Sequence, residues 1–242
     1  MPKPNRLSIG DWGLEKRGKS SLALSFPRPM EYFDFDFGIE TLDYEGEGFV
    51  HHTFSWSAIQ DQEEMEQVLN SFLITFDQAC HRLAGTGGSV AVDTMTQVDS
   101  LAQAVLIGRV REIRAKRETA KQGKKVEEDE VIVQAFDYGA RNAMIQSIYT
   151  TPLSVPKLNA IFLHKAKPVY SGKDKTDKFE FAGWSGMPGM VRATVHSFRI
   201  DNPDGTADYM GEIQSSGYTY HPSLKVFSEP SYETLASIFG ME

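Results

Sequence analysis

The residues from Gly13 to Ser20 have the types and spacing of a phosphate-binding loop. They fit the pattern G-x-x-x-x-G-K-[ST] in full. Glycines let such a loop curl so that successive backbone N–H groups face one anion, and the helix that follows presents its positive end to the same phosphates. We therefore expect a nucleotide to lie against this region: Gly13, Leu14, Glu15, Lys16, Arg17, Gly18, Lys19, Ser20 and Ser21.

Two side chains of the loop carry the chemistry that a nucleoside triphosphate requires. The Lys19 ammonium would reach the β- and γ-phosphates, and the Ser20 hydroxyl would ligate Mg²⁺. Glu15 puts a carboxylate inside the loop, where a phosphate would repel it unless the side chain points outward. The neighbouring cations Lys16 and Arg17 are expected to offset that charge.

A carboxylate at the end of a buried strand would complete a magnesium site. The run Ser89-Val-Ala-Val is short and apolar, and it ends at Asp93. In P-loop proteins an acid at such a strand end holds the water shell of the metal ion. We predict Ser20 and Asp93 as the metal-site residues, with Asp93 acting through water. The alternative is an aspartate that only caps the next helix.

Two further carboxylates, Asp34 and Asp36, close the aromatic-rich strand predicted from Met30 to Phe37. Strand alternation sends both side chains to the same face. A pair of carboxylates that lines a cleft is a candidate base for the water that attacks a phosphate. The other interpretation is an acidic edge that faces the surrounding loops.

A lysine-rich segment follows the buried strand Ala160-Ile-Phe-Leu163, and we predict a mobile loop over 165–183. Single-stranded nucleic acid is bound by cations that meet phosphates and by aromatic faces that stack on bases, and this segment contains both. We predict DNA contacts from Lys165, Lys167, Lys173 and Lys175. The alternative is a solvated loop over aromatic side chains that belong to the core.

The elements that must position these residues are those of one α/β domain over 1–242. Apolar strand-like runs alternate with helical ones, which favours a mostly parallel sheet flanked by helices. Segment 108–130 is expected to be a charged helical insertion, and its adjacent basic and acidic blocks are typical of a solvated helix and turn. From 191 to 242 the pattern predicts an antiparallel hairpin, with a turn at Asp201–Gly205, and a terminal helix capped by Ser231.

Composition excludes several classes of protein. The formal net charge is −8, so any binding of nucleic acid must be local. Cys80 is the only cysteine, which excludes an internal disulfide and a cysteine metal cluster. The first residues lack the apolar core of a secretion signal, and no run approaches the roughly 20 apolar residues of a membrane span. We expect a cytoplasmic protein without membrane contact.

The order of Gly13–Ser20, Asp34–Asp36, Asp93 and Phe162–Lys165 resembles the RecA-like ATPase core. The resemblance is closer to phage RecA-like ATPases, including single-strand annealing proteins of phage recombination modules. Further segments carry it along most of the chain: Leu22-Ala-Leu-Ser-Phe-Pro27, Asp137-Tyr-Gly139 and Glu229-Pro-Ser-Tyr-Glu-Thr-Leu235.

This resemblance implies a function in phage recombination or replication. It implies an ATP-binding, Mg²⁺-dependent ATPase that acts with single-stranded DNA in strand annealing or pairing. The catalytic set would be Lys19, Asp93, Asp36 in place of the usual glutamate, and His164 as the γ-phosphate sensor. Segment 165–183 matches the position of the DNA-contacting loop.

The resemblance also implies partners and a location. The partners are single-stranded DNA, a single-strand-binding protein, and further copies of the chain in a ring or filament. Arg192 and Arg199 are then candidates for a trans-acting arginine. The location is the cytoplasm of a bacterial host.

Two other functions remain open. The first is a nucleotide-gated DNA or protein binding module with little hydrolysis, because Asp36 is one methylene shorter than glutamate and Glu15 is acidic. The second is a small-molecule P-loop kinase, although such an enzyme needs an arginine-rich lid and 165–181 has no arginine. A GTPase is disfavoured, because Lys-Ala-Lys follows His164 where a guanine reader has [NT]-K-x-D.

Overall fold

A computed structural model describes residues 5–40, 42, 44, 46–218 and 225–241. These residues form an α/β domain with a mostly parallel sheet between helices. The domain predicted over 1–242, including its 191–242 part, also contains residues that lie outside the described ones: 1–4, 41, 43, 45, 219–224 and 242.

The strands of the described residues join in one sheet. Its order is β3-β2-β4-β5-β1-β7-β8-β9, and β6 pairs with β5 beside that path. Neighbours from β3 through β7 are parallel, whereas β6, β8 and β9 are antiparallel to the strands they pair with. The strands are β1 (Ser8–Gly13), β2 (Met30–Asp34), β3 (Phe49–Thr53), β4 (Ser89–Asp93), β5 (Asn159–Ser171), β6 (Asp174–Ala182), β7 (Ala193–Asp201), β8 (Ala207–Ser216) and β9 (Val226–Ser228).

Helices cover both faces of the sheet. One face packs against α2, α3 and α4 in a core that includes Phe33, Phe72 and Phe162. The other face packs against α1 and α6, around Ile9, Leu163 and Leu235. The helices are α1 (Lys19–Leu24), α2 (Gln62–Arg82), α3 (Met95–Gln122), α4 (Gly139–Ser154), α5 (Met187–Met190) and α6 (Tyr232–Ile238). The predicted α/β class and mostly parallel sheet are confirmed.

The central strands are buried on both faces, which is why they appear in the sequence as short apolar runs. Every residue of β2 and of β4 is buried. Side chains Leu69, Phe72 and Phe76 of α2 follow helical spacing and are buried against this sheet. Asp61 accepts hydrogen bonds from two backbone N–H groups and so fixes where α2 begins.

The segment 165–183 is a β-hairpin, and its prediction as a loop is wrong. β5 runs on beyond the parallel sheet and returns as β6, with Ser171 paired to Asp174. Gly172 has a φ of +66° and takes the first central position of this two-residue turn, where glycine is favoured. Alternating lysines and aromatic residues therefore mark a two-stranded ribbon that projects beyond the carboxyl edge of the sheet.

The charged segment 108–130 contains the helix and the turn that the sequence predicts. Its basic part is the second half of the continuous helix α3, and its acidic part is a 3-10 turn at Glu128–Glu130. Ion pairs within the segment, such as Lys116 with Glu112 and Lys121 with Glu118, hold the opposite charges side by side. The basic part thus continues a core helix.

The C-terminal elements agree with the sequence prediction where the structure describes them. β7 and β8 form an antiparallel hairpin, and β7 also pairs in parallel with β1, which joins the hairpin to the main sheet. The Ser231 hydroxyl accepts a hydrogen bond from Thr234 N and caps α6. In the part of the chain that the structure describes, no helix has the length and apolar character to cross a membrane.

Candidate nucleotide-binding site

The predicted phosphate loop connects β1 to α1. Gly18 has a φ of +85° at the residue before α1, a backbone conformation that favours glycine. A Cβ on Gly13 would lie 2.2 Å from the carbonyl oxygen of Ser197 in β7, so the close approach of β7 also requires glycine there. The loop therefore has the curled backbone that the motif predicts.

Lys19 lies beneath this loop and is buried. Its Nζ donates hydrogen bonds to the carbonyl oxygens of Gly13 at 3.0 Å and Leu14 at 2.6 Å. Burial lowers the pKa of Lys19, and the nearby carboxylates of Asp11 and Asp93 oppose that shift. Glu15 is exposed at the rim, as expected for a carboxylate that must avoid phosphate.

The hydroxyl of Ser20 donates a 2.8 Å hydrogen bond to Oδ2 of Asp93, a residue 73 positions away. Strand β5 separates β1 from β4, yet the carboxyl ends of these parallel strands meet at one edge. The Tyr32 hydroxyl donates to the same oxygen at 2.6 Å. Burial raises the pKa of Asp93, while the hydrogen bonds from Tyr32 and Ser20 act in the opposite direction.

The Ser20 and Asp93 pair fits Mg²⁺ in its chemistry. Both supply the hard oxygen donors that Mg²⁺ prefers, and the ion is commonly held by one or two carboxylates together with phosphate oxygens and water. A Cβ on Gly38 would lie 3.7 Å from both side-chain oxygens, so glycine keeps this spot open. The described residues contain no group of three or more His, Cys, Asp or Glu side chains arranged to hold a metal.

Asp34 and Asp36 have different positions, because β2 ends at Asp34 and the chain turns there. Asp34 is fully buried, and its Oδ1 accepts from the backbone N–H groups of Asp36 and Phe37. Asp36 lines the cleft, with Oδ1 2.8 Å from Lys165 Nζ. Strand alternation therefore does not extend to Asp36: Asp34 accepts hydrogen bonds from the turn, and Asp36 lines the cleft.

His164 does not line the cleft, although the sequence predicts it as a γ-phosphate sensor. Its ring is buried on the α4 side of the sheet, with Nε2 3.2 Å from the Tyr149 hydroxyl and the Phe181 ring 4.5 Å away between centroids. Burial lowers the pKa of His164 to about 3. The predicted sensor role therefore has no geometric basis, and the neighbouring strand position faces the cleft instead.

That neighbouring residue is Lys165, which the sequence assigns to DNA contact. It lies at the base of the β5–β6 hairpin, half-buried in the cleft against Asp36. Its backbone N–H donates to Thr96 Oγ1 at 3.0 Å, and that hydroxyl donates to Ala182 O at 2.6 Å. Thr96 thus fastens both strands of the hairpin to the helix that follows Asp93.

The other lysines predicted to contact DNA lie along the hairpin and away from the nucleotide cleft. Lys167 forms a 3.2 Å ion pair with Glu180 on the opposite strand. Lys173 is at the turn and Lys175 follows it, and both are exposed. Tyr170, also near the tip, is 60% exposed and so offers an aromatic face beside these cations.

Two functional candidates cannot be recognised in the sequence, because their surroundings depend on distant strands. Tyr32 is one, through its contact with Asp93. The other is Asp11, a fully buried carboxyl in β1 whose two oxygens both lie 2.9 Å from the Ser197 hydroxyl. Burial raises the pKa of Asp11 to about 7. The signal for Asp11 in the sequence is a carboxylate within a strand whose other residues carry no charge.

The two arginines considered as trans-acting groups differ in position. Arg199 lines the same cleft as the phosphate loop, and its Nε donates to Asp201 at 2.6 Å. Arg192 does not line that cleft and lies at the start of β7, at the opposite end of the strand. Of the two arginines, Arg199 is the one that faces the cleft of its own chain.

Comparison of the chain with protein-family models finds no matching family. A search among curated proteins likewise finds no match. The case for a function therefore depends on the residues and the geometry of this site.

Proposed function

We propose that this chain is a RecA-like P-loop ATPase that uses ATP and Mg²⁺ and acts with single-stranded DNA in phage recombination or replication. The observation that carries the proposal is the 2.8 Å contact between Ser20 and Asp93. It brings the hydroxyl of the phosphate loop to the strand-end carboxylate, which is the pairing that a magnesium nucleotide requires.

In this proposal the phosphate loop binds the triphosphate. Lys19 directs its ammonium toward the β- and γ-phosphates, and the loop N–H groups surround the same oxygens. Ser20 and Asp93 would hold Mg²⁺, which when bound neutralises charge on the phosphates. Tyr32 keeps the Asp93 carboxylate oriented through its short hydrogen bond.

Asp36 is the proposed general base for hydrolysis. Water attacks the γ-phosphorus, a new P–O bond forms, and the bond to the ADP oxygen breaks, while the proton of the water passes to the carboxylate. Asp36 lines the cleft, whereas buried Asp34 accepts backbone hydrogen bonds. The Asp36 carboxylate must leave Lys165 before it can accept a proton.

The β5–β6 hairpin is the proposed surface for single-stranded DNA. Its tip combines the exposed cations Lys173 and Lys175 with the exposed ring of Tyr170, and cations with aromatic faces are the usual means of holding a single strand. The hairpin begins at Lys165, which contacts Asp36 in the cleft. A nucleotide would therefore contact the base of the hairpin, and DNA would contact its tip.

One observation favours a second function, a nucleotide-gated DNA or protein binding module with little hydrolysis. The ion pair between Asp36 and Lys165, at 2.8 Å, occupies the candidate base. If this pair persists when nucleotide binds, ATP would change the hairpin without being split. Separate measurements of ATP binding and turnover distinguish the two functions.

The magnesium site provides the test of the proposal. We expect Asp93→Asn to weaken Mg²⁺-dependent ATP binding, because the amide can still accept from Ser20 and Tyr32 but carries no negative charge toward the metal. Titration calorimetry with ATP, in Mg²⁺ and in EDTA, measures the effect. Asp129→Asn, at an exposed position that does not line the cleft, is the control for the lost charge. Equal dependence on Mg²⁺ in parent and Asp93→Asn would contradict the proposal.

A further inference from the structure

The cleft that contains the phosphate loop continues well beyond it. Its volume is about 1150 Å³, above the range of roughly 300–1000 Å³ that is usual for small-molecule sites. The loop cations Lys16, Arg17 and Lys19 line one part of it, and Tyr209 and Glu229 line a second part that begins where the Tyr209 ring meets Gly18. A triphosphate on the loop would leave the volume beside this ring for the rest of a ligand.

Tyr209 of β8 places an aromatic ring against the phosphate loop. A Cβ on Gly18 would lie 3.1 Å from Cδ1 of this ring, so the ring rests on the glycine that precedes α1. The residue is nevertheless 42% exposed, and it lines the cleft. An exposed ring in contact with a phosphate-binding loop is within reach of a group attached to those phosphates.

Hydrogen bonds join the wall around this ring to α1, the helix that follows the phosphate loop. Glu229 N donates to Tyr209 O at 2.9 Å, which holds the turn after β9 beside β8. Tyr232 N donates to the Ser25 hydroxyl at 2.7 Å, which joins the start of α6 to the end of α1. β8, the 228–231 turn and α1 thus form one connected surface.

The charged residues near Tyr209 indicate which way round a nucleotide would lie in the cleft. The end near Tyr209 carries the carboxylates of Asp208 and Glu229, which would repel a triphosphate but can accept hydrogen bonds from ribose hydroxyls or base N–H groups. Arg199 is the cation at this end, and its guanidinium donates to Asp201. The phosphates should therefore lie toward Lys19 and the uncharged part of the ligand toward Tyr209.

We propose that this end of the cleft is a nucleobase subsite, in which a purine ring stacks on Tyr209 while the triphosphate lies on the phosphate loop. This inference rests on the proposed nucleotide binding and names the part of the ligand that the C-terminal elements recognise. It assigns β8 and the 228–231 turn to the ligand site of their own chain. The stacking face of any base suits an aromatic ring, so affinity for the base comes mainly from Tyr209.

The test compares ATP with inorganic tripolyphosphate, which carries the phosphates without a base. Binding of each, with Mg²⁺, is measured by calorimetry for the parent, Tyr209→Ala and Tyr209→Phe. We expect Tyr209→Ala to weaken ATP binding by about tenfold, since stacking of a base on an aromatic side chain contributes on that scale. Tyr209→Phe should match the parent, and tripolyphosphate should bind all three equally.

The outcomes separate this inference from the function on which it rests. If Tyr209→Ala binds ATP as the parent does while Lys19→Ala loses ATP, the base lies elsewhere and the proposed function stands. If Tyr209→Ala weakens ATP and tripolyphosphate equally, Tyr209 only supports the loop, and the subsite is again wrong. If the parent does not bind ATP, or Lys19→Ala binds it equally well, both proposals fail together.

Discussion

At the scale of single residues, Asp36 and Lys165 would determine whether the proposed site hydrolyses ATP or only binds it. Their 2.8 Å ion pair spans the cleft between the turn after β2 and the base of the hairpin. Both side chains are partly exposed, and such pairs contribute little to stability, about 0–1 kcal/mol. The contact can therefore be exchanged for contacts with a nucleotide at small cost.

We predict that Asp36→Asn lowers ATP turnover by about 100-fold or more with little change in ATP affinity. A general base acts on the water in the transition state, and its loss commonly lowers the rate by about 10²–10⁴-fold. Turnover and affinity are measured separately, with Asp177→Asn on the exposed hairpin as a control for lost charge. An equal loss in affinity would make Asp36 a ligand-binding or structural residue.

Some residues of the site could be predicted from local patterns in the sequence. Lys19, Ser20 and Asp93 belong to local patterns whose chemistry follows from spacing and strand ends, and the structure brings the three together. His164 and Lys165 could not be assigned, because adjacent strand residues face opposite sides and a one-residue difference in register exchanges them. Tyr32 and Asp11 depend on contacts with distant strands that no local pattern records.

The hairpin β5–β6 is the element that would connect the proposed nucleotide site to the proposed DNA surface. Its base is held by Thr96, the second residue of α3, and its tip lies beyond the edge of the parallel sheet. A two-stranded ribbon transmits a change at its base more directly than a mobile loop would. The sequence indicated a loop because polar residues on both faces of an exposed ribbon give no buried strand pattern.

We predict that replacing Lys167, Lys173 and Lys175 together by alanine weakens binding of single-stranded DNA and reduces its salt dependence. Each phosphate contact adds about 0.7 to the slope of log affinity against log salt for a single strand, so the slope should fall by about 2. ATP binding should not change, because none of the three lysines lines the cleft that contains the phosphate loop. Fluorescence anisotropy with a labelled oligonucleotide at several salt concentrations measures both quantities.

A matched variant controls for the loss of three positive charges. Replacing Lys116, Lys121 and Lys124 together by alanine removes the same charge from another exposed surface. The first two belong to α3, and Lys124 follows it. That variant should bind DNA as the parent does. If the α3 variant loses affinity and the hairpin variant does not, the DNA surface lies on α3.

At the scale of the whole molecule, two buried titratable groups give the fold opposing pH dependences. Burial raises the pKa of Asp11 to about 7. Between its unfolded pKa of about 4 and pH 7 the folded state holds an extra proton, so the free energy of unfolding falls as pH rises. The pKa of His164 is lowered to about 3, so between about pH 3 and pH 6.5 this residue is protonated in the unfolded state and neutral in the folded state. The free energy of unfolding therefore falls as pH falls through this range.

We predict that Asp11→Asn becomes more stable relative to the parent as pH rises from about 4 to 7. The amide can still accept from Ser197, and it removes a decline of up to about 1.4 kcal/mol per pH unit. Urea unfolding at pH 4.5, 6 and 8 measures the difference in the free energy of unfolding. Asp129→Asn, at an exposed position, controls for net charge. A difference that stays constant with pH would show that Asp11 is ionised throughout.

The proposed DNA-dependent ATPase activity is tested most directly by ATP turnover measured against the concentration of single-stranded DNA, in the parent and in Lys19→Ala. We predict Mg²⁺-dependent turnover in the parent that rises to a plateau with DNA. We predict no turnover in Lys19→Ala at any DNA concentration, although that variant keeps its fold by circular dichroism, because the cation aimed at the β- and γ-phosphates is gone. Equal turnover in the two proteins, with or without DNA, would contradict it.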